Sequence, residues 1–205
     1  MDLRFILNSP LTYIAYQKLV GGIYMRDESL RVLGVEADMR VLDIGCGPAY
    51  YLPDMPEVDY HGFDTDQRYI DHARSRFGDR GTFYCEIFAS ERANSLGKFD
   101  RVMLLGLLHH LDDEQCRELL TLVARVLKPG GECVALDTVT HPAQNVFEHH
   151  LALGDRGEYV RTPEAFAALG RQSFQYVDGT LCKKWWVPSV HWLMTLSGPN
   201  TEGKR

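Results

Sequence analysis

"VLDIGCGPAYYLP", Val41 to Pro53, is the stretch that decides how this chain folds. Val41-Leu42-Asp43-Ile44 is a short apolar run suited to a buried strand, and it passes directly into Gly45-Cys46-Gly47. Two glycines one residue apart let the backbone turn tightly and leave no side chain between it and a ligand. A strand that ends in such a turn and leads into a helix is a frequent nucleotide-cofactor site. Asp43 interrupts the apolar run. A buried acid is costly unless paired, so it must meet donors such as loop amides or a ligand ammonium.

Outward from this turn, apolar runs alternate with helical patterns. Strands are expected at Arg40–Ile44, Tyr60–Phe63, Thr82–Ile87, Arg101–Leu105 and Cys133–Leu136. Helices are expected at Gln67–Phe77 and Glu114–Leu127, the second opened by capping-box spacing between Asp112 and Gln115. Lys128-Pro129-Gly130-Gly131 supplies a basic last turn and then residues that cannot continue a helix. Such alternation implies a mainly parallel sheet covered on both faces. Upstream, Ser9-Pro10 opens a helix running to Val20 that Gly21-Gly22 stops, and a second helix covers Asp27–Leu33. Residues 1–34 thus read as an N-terminal helical cap segment and 35–196 as the main domain. Downstream, Thr138–Arg161 is a long polar insertion with a helix at Ala143–Leu153 and a turn at Gly154–Gly157. A helix follows from Thr162 to about Gln172, then two closing strands at Phe174–Val177 and Val187–Leu196. Joined without a helix, those strands must be antiparallel. Ser197–Arg205 reads as a flexible tail.

With 205 residues the chain suits one domain with a full core. No stretch approaches the roughly 18 consecutive apolar residues of a membrane span, and the first residues have no signal-peptide pattern. A net charge of −6 argues against a broad electrostatic grip on nucleic acid. The five cysteines are odd in number, widely spaced and without a CxxC pair, which fits reduced thiols in the cytoplasm rather than disulfides or zinc. The sequence carries no signature of an oligomeric state.

A dinucleotide turn of the form G-x-G-x-x-G needs a third glycine where this chain has Tyr50, which argues against a pyrophosphate cradle. Asp64 stands at the end of the second strand, about twenty residues after the glycines, where a carboxylate accepts from both hydroxyls of a ribose. Together with Phe99-Asp-Arg-Val-Met103, Leu107-Leu-His-His-Leu-Asp112 and Leu127-Lys-Pro-Gly-Gly131, these residues resemble the class I S-adenosylmethionine-dependent methyltransferases. The resemblance covers roughly Val41 to Asp137. It implies a Rossmann-like α/β fold of seven strands in the order 3-2-1-4-5-7-6, with strand 7 antiparallel and helices on both faces. It also implies S-adenosyl-L-methionine as cofactor, S-adenosyl-L-homocysteine as product, and direct displacement of the methyl group. The cofactor-binding residues it implies are Asp43, Gly45, Cys46, Gly47, Asp64, Thr65, Phe88 and Leu107. Ala49 stands where the family has a third glycine, and no acid is evident after the third strand, where Ile87-Phe88-Ala89 lies.

His109 and His110 follow the fourth strand, where family members place residues beside the transferable methyl. Either can serve as a general base, since a histidine titrates near neutrality; the competing reading is that one packs structurally while the other lines the pocket. Tyr13 and Tyr16, three apart on one helix face, are candidate substrate contacts or simple packing. His141 and Arg161 are substrate-binding candidates, and Arg156 with Arg161 suits a carboxylate or phosphate as well as solvent. His141, His149, His150 and Asp155 make a poor metal set because adjacent histidines point to different helix faces. Trp185-Trp186 puts one ring on each face of a strand. The expected activity is methylation of a small molecule of secondary-metabolite or saccharide type. The rivals are an RNA or protein methyltransferase, which requires a basic groove, and a non-catalytic cofactor-binding domain, which lacks an acceptor cavity.

Overall fold

The computed structural model describes residues 22–142, 144, 158–183 and 190–200. The expected helices at 9–20 and 143–153, the 154–157 turn, Tyr13, Tyr16, His149, His150, Asp155, Arg156, Trp185 and Trp186 lie outside them. In chain order the elements are α1 (Gly22–Leu33), β1 (Arg40–Ile44), β2 (Asp59–Asp64), α2 (Gln67–Phe77), β3 (Gly81–Cys85), α3 (Ser90–Leu96), β4 (Phe99–Leu105), α4 (Asp113–Val126), β5 (Leu127–Thr138), α5 (Pro163–Gly170), β6 (Phe174–Cys182) and β7 (His191–Pro199). Single 3₁₀ turns occupy Leu52–Asp54 and Leu108–His110.

The seven strands form one sheet in the order β3-β2-β1-β4-β5-β7-β6. β1 to β5 pair in parallel, and β7 runs antiparallel to both β5 and β6. Successive side chains alternate between faces, and the core divides accordingly. On one face Leu42, Ile44, Val102, Leu104 and Ala135 pack with Leu120 and Val123 of α4 and Phe166 of α5. On the other, Val41, Met103, Val134 and Leu136 pack with Met25 and Leu33 of α1 and Ile70 and Ala73 of α2. Asp43 shares the alternation of Val41 and therefore belongs to this second face. Among the described residues no helix is long and apolar enough to cross a membrane.

The helix signals at α4 hold. The Asp112 carboxylate accepts from the amides of Glu114 and Gln115, both at 2.9 Å, and the Gln115 side chain accepts from the Asp112 amide at 3.0 Å. Several boundaries move. α1 starts at Gly22, five residues ahead of the expected Asp27. β3 ends at Cys85, two residues early, and Ile87 is 75% exposed beyond it. α3 was not expected; its seven residues lack a side-chain cap and end at Gly97, whose φ of 80° only glycine adopts easily. β5 begins at Leu127 because the Lys128–Gly131 run stays beside β4 as an irregularity, with Lys128 Nζ on Asp100 Oδ2 at 2.7 Å. β6 extends to Cys182, and β7 runs from His191 to Pro199. Ser197 to Pro199 is therefore strand rather than tail: Tyr176 pairs with Ser197, Phe174 with Pro199, and the Asn200 amide donates to Ser173 O at 2.9 Å.

Candidate active site

The C-terminal ends of β1, β2, β4 and β5 bring the chemistry-bearing residues to one rim of the sheet. At the end of β1, Gly45 and Gly47 have φ of 81° and 52°, values that glycine alone adopts without strain. The amides of Gly45 and Cys46 donate to Phe63 O at 2.8 and 2.9 Å, which ties the turn to β2. Among the described residues a Cβ added to Gly47 would meet nothing within 4 Å. Open space over a bare backbone is what a cofactor needs at this turn, so the residues present fit S-adenosylmethionine. Leu107, from the loop after β4, packs over Gly45: a Cβ there would lie 3.4 Å from its Cδ1.

Asp64 lies against the same turn. Its Oδ2 accepts from the Gly47 amide at 2.9 Å and its Oδ1 from the Asp66 amide at 2.8 Å. Burial raises its pKa, opposed by those backbone hydrogen bonds. Each carboxylate oxygen has a further lone pair, the acceptor capacity a ribose diol requires. Thr65, next along, is exposed.

Asp43 is fully buried, and its partner is a residue sequence reasoning did not name. The Tyr60 hydroxyl donates to Asp43 Oδ2 at 2.6 Å. Burial pushes the Asp43 carboxyl up to about 7 despite that bond. Burial and the nearby Asp43 and Asp64 carboxyls raise the Cys46 thiol well above its ordinary value, so Cys46 is a packing residue of the turn. Its sulfur also explains Gly62, where a Cβ would come within 2.9 Å of Cys46 Sγ.

The stretch after β3 holds Phe88, Ile87 and Glu86. Phe88 is buried and meets Phe63 edge-on at 5.1 Å between ring centroids. The exposed apolar side chain in that stretch is Ile87. An acid does follow the third strand: Glu86 is the first residue past β3, and it pairs with Arg92. Glu86, Ile87 and Arg92 help to line a recess of roughly 380 Å³. Glu86 falls inside the expected strand Thr82–Ile87, whereas β3 ends at Cys85.

After β4, His109 is buried and His110 exposed, their ring centroids 4.2 Å apart. His109 Nδ1 lies 2.8 Å from Oδ1 of Asp137, a buried acid near the end of β5. Asp137 directly follows the apolar run Cys133-Val-Ala-Leu136, a signal for a buried acid at that strand's end.

Arg161, expected as a substrate contact, is bound into the fold around the fourth-strand loop. Its Nε donates to Asp113 Oδ1 at 2.9 Å, its Nη1 to Leu108 O at 3.1 Å and Tyr159 O at 2.9 Å, and its Nη2 to Leu111 O at 2.8 Å. A guanidinium committed in this way has little left to offer a substrate anion. His141 stands just past β5, where its amide donates to Gln144 Oε1 at 2.9 Å.

Ala49, in place of the family's third glycine, sits at φ 57° and is fully buried. The left-handed region costs an L-residue about 1–2 kcal/mol, which glycine avoids. Glycine in turn forfeits a buried methyl worth about 0.8 kcal/mol and adds about 0.4–1 kcal/mol of unfolded-chain freedom. Ala49→Gly is therefore expected to change stability by less than about 1 kcal/mol in urea denaturation. A loss above about 2 kcal/mol would mean that methyl packing, not backbone conformation, governs the position.

A family model described as a methyltransferase domain matches residues 41–131. The chain is 33% identical over 111 residues to the ubiquinone/menaquinone biosynthesis C-methyltransferase UbiE of Desulfotalea psychrophila, covering 52% of this chain and 44% of that protein. It is 29% identical over 125 residues to the methyltransferase GfsG of Streptomyces halstedii, covering 58% of this chain and 44% of that one. The chain thus spans less than half the length of these curated relatives. In fold it is similar to the N-methyltransferase NodS of Bradyrhizobium japonicum, with TM-score 0.67 and 19% identity over 87% of this chain and 97% of that one. NodS has also been solved with S-adenosyl-L-homocysteine. Sequence match, sheet order and glycine turn agree: residues 41–131 match a methyltransferase domain, and they support a class I S-adenosylmethionine-dependent methyltransferase with S-adenosyl-L-methionine as cofactor.

Proposed function

We propose that this protein transfers a methyl group from S-adenosyl-L-methionine to a small-molecule acceptor of secondary-metabolite or saccharide type, in the cytoplasm. The observation that carries the reading is the turn at 45–47, open above Gly47 and held by the Asp64 carboxylate. When bound, the cofactor supplies an electrophilic methyl group on a sulfonium sulfur. The chain's residues then have three tasks. Asp64 accepts from the ribose hydroxyls, with the Gly45–Gly47 backbone beneath and Thr65 beside it. Leu107, packed over Gly45, keeps water from the reacting centre. Ile87 and Glu86 flank the adenine end, Glu86 exchanging part of its pairing with Arg92 for the ligand. Alignment of this kind is most of what methyl displacement needs, since effective molarities of aligned reactants reach about 10⁵–10⁸ M.

The acceptor enters from the side of His109 and His110. Residues 138–161 form its wall and the cap segment 1–34 its roof, with Tyr13, Tyr16 and His141 as contacts. The polar length of 138–161 supports this, because loops longer than a crossover needs more often carry function than fold. The names of the relatives include both C- and N-methyltransferases, so the family match leaves the acceptor atom open. Incubation with S-adenosylmethionine and a library of hydroxylated and amine-bearing small molecules tests the reading by mass spectrometry. Acceptor-dependent S-adenosylhomocysteine is the expected result. Turnover confined to RNA or protein substrates would sink the small-molecule assignment.

A further inference from the structure

We propose that Arg26 and Tyr50 form a carboxylate-binding subsite beside the glycine turn, which takes the carboxylate either of the bound cofactor or of an acid-bearing acceptor. This rests on the methyl-transfer reading above. Among the described residues, Arg26 Nε and the Tyr50 hydroxyl are buried without a hydrogen-bond partner. Tyr50 as a whole is 7% exposed. The two side chains meet: the Arg26 guanidinium carbon lies 5.0 Å from the Tyr50 ring centroid. Ser29, one turn further along the same side of α1, adds a buried hydroxyl that also lacks a partner. Buried polar groups are ordinarily paired, and an unpaired one costs free energy. Donors orphaned side by side call for a ligand that supplies acceptors.

Arg26 differs from the arginines that brace the fold. Arg40, Arg74, Arg101 and Arg161 each spend donors on backbone carbonyls. Among the described residues Arg26 instead makes one close ion pair, Nη2 to Asp54 Oδ2 at 2.9 Å, while Asp27 Oδ1 stands 4.0 Å from Nε. The Arg26 side chain is 19% exposed and that of Asp54 42%, so the pair sits at an edge that solvent reaches. Tyr50 follows Gly47 by three residues, and the Ala49 amide between them donates to Cys46 O at 3.0 Å. The space over Gly47 is open among the described residues. The subsite thus adjoins the cofactor turn from the side of the cap segment.

A guanidinium offers donors alone. Burial raises the Tyr50 hydroxyl above its ordinary value, so it too remains a donor at neutrality. A carboxylate fits this pair, one oxygen accepting from Nε and the other from the hydroxyl. A phosphate dianion fits less well, because Asp54 and Asp27 already place two negative charges beside the guanidinium. S-adenosylmethionine carries one carboxylate, and an acidic acceptor presents the same group.

Calorimetry on the full chain separates the two sources, with S-adenosylhomocysteine, its analogue lacking only the carboxylate, and benzoate as probes. Tyr50→Phe removes the hydroxyl alone. Arg26→Met removes the donors and keeps a side chain over the Tyr50 ring. If the cofactor supplies the carboxylate, each variant binds S-adenosylhomocysteine about 10- to 100-fold more weakly and binds the analogue as wild type does. If the acceptor supplies it, S-adenosylhomocysteine affinity is unchanged, and benzoate binds the S-adenosylhomocysteine-saturated wild type about tenfold more tightly than either variant. In both cases Tyr50→Phe leaves the urea midpoint of the ligand-free protein unchanged or raised, since its hydroxyl has no partner to lose. Variants that match wild type for every probe overturn the proposal. So do equal losses for S-adenosylhomocysteine and the analogue, or a lowered midpoint in ligand-free Tyr50→Phe. Failure of wild type to bind S-adenosylhomocysteine would instead refute the methyl-transfer reading beneath it.

Discussion

Asp64→Ala weakens binding of S-adenosylmethionine and S-adenosylhomocysteine roughly ten- to a few hundred-fold, as each hydrogen bond to a charged group contributes about 1.5–3 kcal/mol. The carboxylate has two tasks in the fold: it receives the Gly47 amide at 2.9 Å and the Asp66 amide at 2.8 Å. Alanine removes the ribose acceptor and also loosens the glycine turn. Asp64→Asn separates these effects, because its amide oxygen still accepts from one of those amides while the charge is gone. Its affinity should fall between wild type and alanine. Titration calorimetry on folded variants, judged by circular dichroism, measures all three. Unchanged affinity in a folded Asp64→Ala protein, or tighter binding of NAD than of the methyl donor, would remove Asp64 from the site.

Why Asp64 was legible and Asp137 was not is a matter of distance along the chain. Strand, glycine turn and the acid at the next strand's end lie within one β-α-β unit, so local spacing places them together. Asp64 meets Gly47 across 17 residues. His109 and Asp137 are 28 apart with all of α4 between them, and their pairing depends on β4 lying beside β5. The acid at the end of the apolar run Cys133–Leu136 was visible, but not its partner. The same limit applied to Asp43, read as a buried acid in need of donors without Tyr60 being named. Arg161 illustrates the converse. A lone arginine beside a polar insertion looks available for a ligand, and only the folded chain shows its donors spent on Asp113 and three carbonyls. Glu86 was lost to a strand boundary, the least secure feature of any pattern reading. The mainly parallel sheet was legible from the alternation of strands and helices, and the antiparallel pair from the missing helix between the final two strands, whereas the strand order rested on the family resemblance.

Asp43 leads to an expected result larger than any loop substitution: without ligand, the fold loses stability through this one carboxyl as pH rises toward neutrality. Burial raises it from an ordinary 3.8 to about 7, overriding the Tyr60 hydrogen bond, and the nearby Asp64 carboxylate pushes the same way. The folded state therefore holds the Asp43 proton more tightly than the unfolded chain does. Its stabilising contribution is complete below pH 3.8 and is gone once the pH has passed about 7. The corresponding change is about 4 kcal/mol at most. Other groups titrate nearby, notably His61, whose pKa burial lowers and whose contribution fades in the opposite direction, as pH falls. The informative quantity is thus the difference between wild type and Asp43→Asn, whose amide oxygen still accepts from Tyr60 but never ionises. Urea midpoints should favour the variant increasingly as pH rises from about 4 to about 8. Parallel pH profiles would show that Asp43 does not titrate in this window. The consequence reaches function, because Asp43 is two residues from Gly45 and a cation held over that turn favours its ionised form. Affinity for S-adenosylmethionine, which carries both a sulfonium and an ammonium, should accordingly rise with pH toward 8 in wild type and stay flat in Asp43→Asn. A flat wild-type profile would leave Asp43 as a structural partner of Tyr60 alone.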